Sequence, residues 1–228
     1  MLPSSKSVSE INEDVSSPSI SFRIMLSLAG IFGVMALLLY FAAPFVIFPF
    51  PQANATSAQL AQSVSNYQTY YLLAAWLQGT GSLLSVVFVL GLVYLSKAWT
   101  KFSGWITMLA SGTVVVLSLI EGSYFIDIVL ATANGHPEAA LTSFDLTFVF
   151  IHSFFIAPSI LLPLGFVLRG SRILPRFFWS WALVTGLAFQ IFGFAGLFTN
   201  SATIPAIMIL IIQEVWFLAA AISLALRR

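Results

Sequence analysis

Glu121, His152 and Glu214 each stand inside a run of sequence that is otherwise almost wholly apolar, and Gln78, Gln190 and Asp145 interrupt neighbouring runs in the same way. An ionisable group placed in a bilayer costs about 2.5 to 3.5 kcal/mol on insertion scales, so such residues face a bundle interior or a wet cavity. Three outcomes are open to a carboxyl group there. It keeps its proton and donates a hydrogen bond, it pairs with an imidazolium, here that of His152, or it is matched by a bound cation. Glu121, His152 and Glu214 also reach the number of protein ligands that a catalytic zinc ion needs, although without H-E-x-x-H spacing. The residues expected to hold a ligand or ion are therefore Glu121, His152, Glu214, Gln78, Gln190 and Asp145. The first three are expected to form one interior cluster, which would also be the ligand set if a metal is bound.

Spacing assigns these residues to faces. Thr107, Ser111, Ser118 and Glu121 recur at heptad-like intervals, Asp145, His152 and Ser159 lie seven apart, and Gln78, Ser82 and Ser85 follow one another at helical spacing. Ala182, Gly186, Gln190 and Gly193 do the same further on. A rise of about 1.5 Å per residue from the span ends places Glu121 and His152 at a similar level in the outer third. Gln78 and Gln190 fall slightly deeper and Glu214 close to the midplane.

The elements that carry these faces follow from composition. The chain has 228 residues, of which 59% are hydrophobic and 7% charged, with a mean hydropathy of +0.99. A soluble domain carries about 25% charged residues, so that class is excluded. Six apolar stretches, near residues 22–49, 69–96, 104–131, 144–168, 177–198 and 204–226, are each long enough to cross a bilayer. The fold class expected is an all-α membrane protein, a six-helix transmembrane bundle occupying residues 22–228 as a single domain. Residues 1–21, with eight serines and almost no large apolar side chains, read as a disordered tail. Pro44 is expected to bend the first span, and Pro158 and Pro163 to disturb the fourth.

Direction comes from the basic residues. Lys6 and Arg23 precede the first span, Lys97 and Lys101 separate the second from the third, Arg169, Arg172 and Arg176 separate the fourth from the fifth, and Arg227 and Arg228 end the sequence. The alternate loops have none, so the positive-inside rule places both termini in the cytoplasm. Of the outer loops, residues 51–68 read as a short helix at the membrane surface, with Leu60, Val64, Tyr67 and Tyr71 on one face. Asn134-Gly135-His136-Pro137 reads as a turn.

Counting residues excludes several activities. The absence of cysteine removes thiolate metal sites and thiol nucleophiles. One membrane-level histidine cannot make a bis-histidine haem, and Lys97 and Lys101 lie too near the surface for a Schiff base. No phosphate-binding loop or dinucleotide fingerprint occurs. No cofactor and no nucleic-acid partner are expected; the partners expected are the lipid bilayer and a small ligand.

The segment Ser171-Arg172-Ile173-Leu174-Pro175-Arg176-Phe177-Phe178-Trp179-Ser180-Trp181 resembles a motif of an uncharacterised bacterial integral membrane family, approximately S-x-x-I-P-R-W-L-S-x-W-G. Ile120-Glu121-Gly122 and Glu214 are similar to that family's recurrent acidic positions. Phe177 stands where tryptophan is usual, Trp179 where serine is usual and Ala182 where glycine is usual. The resemblance implies a bacterial multi-span fold in the cytoplasmic membrane and supplies no activity. Physically, Pro175 suits a helix start, Arg172 and Arg176 suit lipid headgroups, and Trp179 and Trp181 suit the interfacial belt.

The function expected is therefore binding or movement of a small cationic or apolar molecule through an outward-facing polar cavity. A structural or partner-binding membrane subunit is the alternative, and an intramembrane metal-dependent hydrolase the third reading.

Overall fold

A computed structural model describes residues 20–46, 50–199 and 203–227. The tail expected over residues 1–21 falls outside them except for its last two positions. Among the described residues seven helices form: α1 (Ile20–Val46), α2 (Ser57–Leu95), α3 (Phe102–Ala133), α4 (Pro137–Ile156), α5 (Leu161–Leu168), α6 (Phe177–Gly196) and α7 (Thr203–Leu226). Six helical segments among them are long and apolar enough to cross a membrane, α4 and α5 counting together as one. All the described elements are helical, as lipid requires when backbone groups must be satisfied within the segment.

The spans are arranged as a ring in chain order. Each packs against the next, and α7 returns to pack against α1. One end of the ring gathers the start of α1 and the end of α2, where the Phe22 and Tyr94 rings meet edge to face at 5.8 Å. The same end holds the α5–α6 loop and the end of α7, where Arg227 donates to the carbonyl of Arg172 at 2.6 Å. Arg23, Lys97, Lys101, Arg169, Arg172, Arg176 and Arg227 thus share one end of the molecule. At the opposite end, Ser57 at the start of α2 donates to Glu138 at the start of α4, at 2.7 Å.

Small residues let the helices approach. A Cβ on Gly33 of α1 would lie 2.6 Å from both the backbone nitrogen and the hydroxyl of Ser85 on α2. A Cβ on Gly186 of α6 would lie 2.4 Å from the backbone nitrogen of Leu162 on α5. Such close backbone contact is how helices associate where lipid supplies no hydrophobic drive.

α1 continues past Pro44 to Val46, so the proline does not stop it. One feature differs from the sequence reading. Residues 57–67 do not lie against lipid as a separate surface helix: they are the first turns of α2, begun by a capping box between Thr56 and Gln59 and kinked at Tyr67. Their apolar face is buried instead, with Leu60, Val64 and Tyr71 packed on Phe125, Ile128, Ala140 and Phe144 of α3 and α4. The physical reason is that α3 extends through 32 residues, about 48 Å, and its projecting apolar end needs a cover. Span four, where Pro158 and Pro163 are expected to disturb the helix, is broken. α4 ends at Ile156, Ala157 is extended (φ −60°, ψ 143°), and α5 starts at Leu161. Pro163 falls in the first turn of α5, where its missing N–H costs no helix bond.

Candidate functional site

Glu121 sits on the buried stripe of α3 formed by Thr107, Ser111, Ser118, Gly122 and Phe125. It is 9% exposed. Gly122 brings α2 close: a Cβ there would lie 3.3 Å from the carbonyl oxygen of Ala75. This approach puts the Gln78 amide against the carboxyl group, where Nε2 donates to Oε2. From α1, the Tyr40 hydroxyl donates to Oε1 at 3.0 Å. Three helices therefore meet at one carboxyl group, and both of its hydrogen-bond partners are neutral. The described lysines and arginines lie at the far end of the ring. Gln78 is itself buried and its Oε1 has no partner.

Aromatic rings cover the site on the side away from the basic end. Tyr40 meets Phe125 edge to face at 6.1 Å, and Phe50 lies within 5.3 to 6.4 Å of Tyr71, Phe125, Phe144 and Phe148. Phenylalanine and tyrosine faces carry negative charge density, so a group of rings beside a carboxylate is chemistry suited to a desolvated cation. Towards the basic end, Ser82 of α2 and Ser118 of α3 share a hydrogen bond of 2.6 Å.

Of the residues expected to converge, Glu121 and Gln78 are brought together. His152 is not hydrogen-bonded to Glu121; its ring rests edge to face on Phe155 at 5.8 Å. The buried side of α4 runs through Ala140, Ser143, Phe144, Thr147 and Phe155, and both His152 and the exposed Asp145 lie off it. The face expected to join Asp145, His152 and Ser159 stops at Ile156, because the helix does. Glu214 belongs to another part of the ring, since α7 packs mainly against α1 and α6; its Oε2 is buried without a partner. Among the described residues no group of three His, Asp or Glu side chains gathers to hold a metal ion, so Glu121, His152 and Glu214 form no single ligand set.

Gln190 lies on α6, apart from the Tyr40–Glu121–Gln78 contact. Its Oε1 accepts the backbone N–H of Ser159 at 2.8 Å, filling the hydrogen-bonding gap in span four from α6. Asp127 accepts from Ser143 at 2.5 Å beside an open groove of about 430 Å³ between α3 and α4, which Ser123, Tyr124, Ile126 and Leu130 also line. That groove is not lined by Glu121. Arg172 and Arg176 are exposed at the basic end, and Arg169 stacks over the Trp179 ring at 5.6 Å.

The sequence reading missed Tyr40. The available signal was that Tyr40 is the single tyrosine of the first span, at a depth matching Glu121. No family model, no curated protein and no solved structure matches the chain.

Proposed function

We propose that this protein binds a small lipophilic cation at Glu121, beneath the aromatic cover, and releases it in exchange for a proton. One observation carries the reading: a carboxyl group deep in an apolar bundle has two neutral donors and, among the described residues, no positive partner. In a low-dielectric site a carboxylate needs a counter-charge, and a proton or an organic cation can each supply it but not both together. The rings of Tyr40 and Phe125 favour a cation with an apolar surface over a hydrated metal ion.

The setting belongs to the same proposal. The protein lies in a bacterial cytoplasmic membrane with both termini in the cytoplasm, in keeping with the clustering of basic residues at one end and with the family resemblance at residues 171–181. Arg172 and Arg176 then meet the inner-leaflet headgroups. A cysteine introduced at position 99 or 173 stays unlabelled by a membrane-impermeant reagent in intact cells, whereas one at 62 or 136 is labelled.

Tetraphenylphosphonium binding to the purified protein in detergent tests the function. The wild type binds it saturably, more weakly as the pH is lowered, and with release of protons into weak buffer. Glu121→Gln, which keeps the shape and the contact with Tyr40, loses binding by at least about tenfold. Equal binding by wild type and Glu121→Gln overturns the proposal. If neither binds, the Tyr40–Glu121–Gln78 contact is a tie between helices and the protein is a structural subunit.

A further inference from the structure

The groove between α3 and α4 opens on the outside of the ring. Ser123, Tyr124, Ile126, Asp127 and Leu130 of α3 and Ser143 of α4 line its volume of about 430 Å³, and of these Ser123, Ile126, Asp127 and Leu130 are exposed. Towards the middle of the span the side of α3 that carries Asp127 continues as Ile120, Leu119 and Val116, which are exposed and wholly apolar. Asp127 therefore stands at the end of a stripe that faces lipid. Its level follows from the rise of the helix: it lies about 39 Å along α3 from Lys101, the N-cap residue at the basic end. A bilayer is about 40 to 45 Å thick with its headgroups, and about 30 Å of that is hydrocarbon. With the basic end among the headgroups of one leaflet, Asp127 reaches the headgroups of the other.

A carboxylate at that place needs a counter-charge, and the chain brings none. Ser143 donates to Oδ2 at 2.5 Å and is neutral. The described lysines and arginines share the opposite end of the molecule. His136 and His152 stand about 10.5 and 13.5 Å along α4 from Ser143, one to each side. The positive groups that lipid itself presents at this level are the ammonium groups of its headgroups. The chemistry of the groove selects among them. A primary ammonium carries three N–H donors, and the acceptors here are the Asp127 carboxylate and the oxygen of Ser123, whose own proton goes to the Ile120 carbonyl at 2.6 Å. A trimethylammonium has no N–H and is held instead by aromatic faces. Tyr124 is the one aromatic residue lining the groove, and it is paired edge to face with Phe150 at 5.5 Å.

We propose that this groove is a binding site for a phospholipid with a primary ammonium headgroup, phosphatidylethanolamine, in the leaflet opposite the basic end. The ammonium donates to Asp127, which Ser143 holds in place. An acyl chain lies along Ile120, Leu119 and Val116. The site is separate from Glu121, which does not line the groove, and it does not depend on the exchange of cation and proton there.

Native mass spectrometry of the full chain, stripped of lipid in detergent and titrated with phosphatidylethanolamine or phosphatidylcholine of the same acyl chains, tests the site. The wild type is expected to bind the first at least about tenfold more tightly than the second. Asp127→Asn, a change at an exposed position, brings the two within about twofold. Asp145→Asn, which removes another exposed carboxylate from α4, keeps the preference, and so does Glu121→Gln. Equal binding of the two lipids by the wild type overturns the proposal, as does a preference that survives in Asp127→Asn. A preference lost equally in Asp145→Asn also overturns it, since the charge of the whole end would then be at work. Displacement of the lipid by free ethanolamine at a similar concentration overturns the lipid as occupant in favour of a soluble amine.

Discussion

Replacing Gln190 by methionine removes one acceptor and little else. The side chain keeps its length, but Oε1, 2.8 Å from the backbone nitrogen of Ser159, is gone. Ser159 is 3% exposed, and at this depth no bulk water replaces the lost partner. A buried donor left unsatisfied costs about 1 to 3 kcal/mol. Each kcal/mol moves the melting midpoint of a chain of this size by about 2 to 4 °C, so Gln190→Met is expected to melt about 2 to 12 °C below wild type. Gln190→Glu, which keeps an oxygen at the same place, restores most of that loss. Unfolding of the purified protein in one detergent, followed by circular dichroism for all three proteins, supplies the comparison. A methionine variant melting within about 1 °C of wild type would refute the assignment of Gln190 as the partner of the broken helix.

Gly186→Ala sets a methyl 2.4 Å from the Leu162 backbone nitrogen and is expected to cost about 3 kcal/mol or more, whereas Gly112→Ala, with nothing within 4 Å of its Cβ, is neutral or stabilising by up to about 1 kcal/mol. Reversible unfolding in mixed micelles measures both. Trp216→Phe loses the hydrogen bond from Nε1 to the Phe178 carbonyl at 3.0 Å, a fully buried contact between α7 and α6, and is expected to cost about 1 to 2 kcal/mol in the same assay. Ser143→Ala, by contrast, removes a partner of the exposed Asp127 and is expected to change the melting midpoint by less than about 2 °C.

The limits of the last two spans were legible because lipid imposes them, whereas α2 begins at Ser57 and α4 at Pro137, ahead of the expected 69 and 144. The end of α6 expected at residue 198 lies at Gly196, and the start of α7 expected at 204 lies at Thr203. Depth was legible too, which is why Gln78 and Glu121 were expected at neighbouring levels and do meet. Rotation was not. His152 stands one position from the line through Thr147 and Phe155, and one residue turns a helix by about 100°. The assumption that faces continue through a span failed at Ala157, where the helix ends and the register of Ser159 is lost. For residues 57–67 the amphipathic face was read correctly and its partner wrongly. Periodicity reveals that a face must be covered, while the projecting end of α3 that covers it is a property of the assembled ring. Tyr40 escaped because a tyrosine in a span reads as an interfacial anchor unless its neighbour across the helix pair is known.

The break in span four also makes that span's stability depend on a later part of the chain. The backbone N–H of Ser159 finds its acceptor 31 residues further along the chain, on a helix not yet made when span four emerges from the ribosome. At about 5 to 20 residues per second that interval is roughly 2 to 6 s. Throughout it, span four carries an unpaired peptide group that hydrocarbon does not solvate. Span four therefore reaches its full stability in lipid only once α6 is beside it.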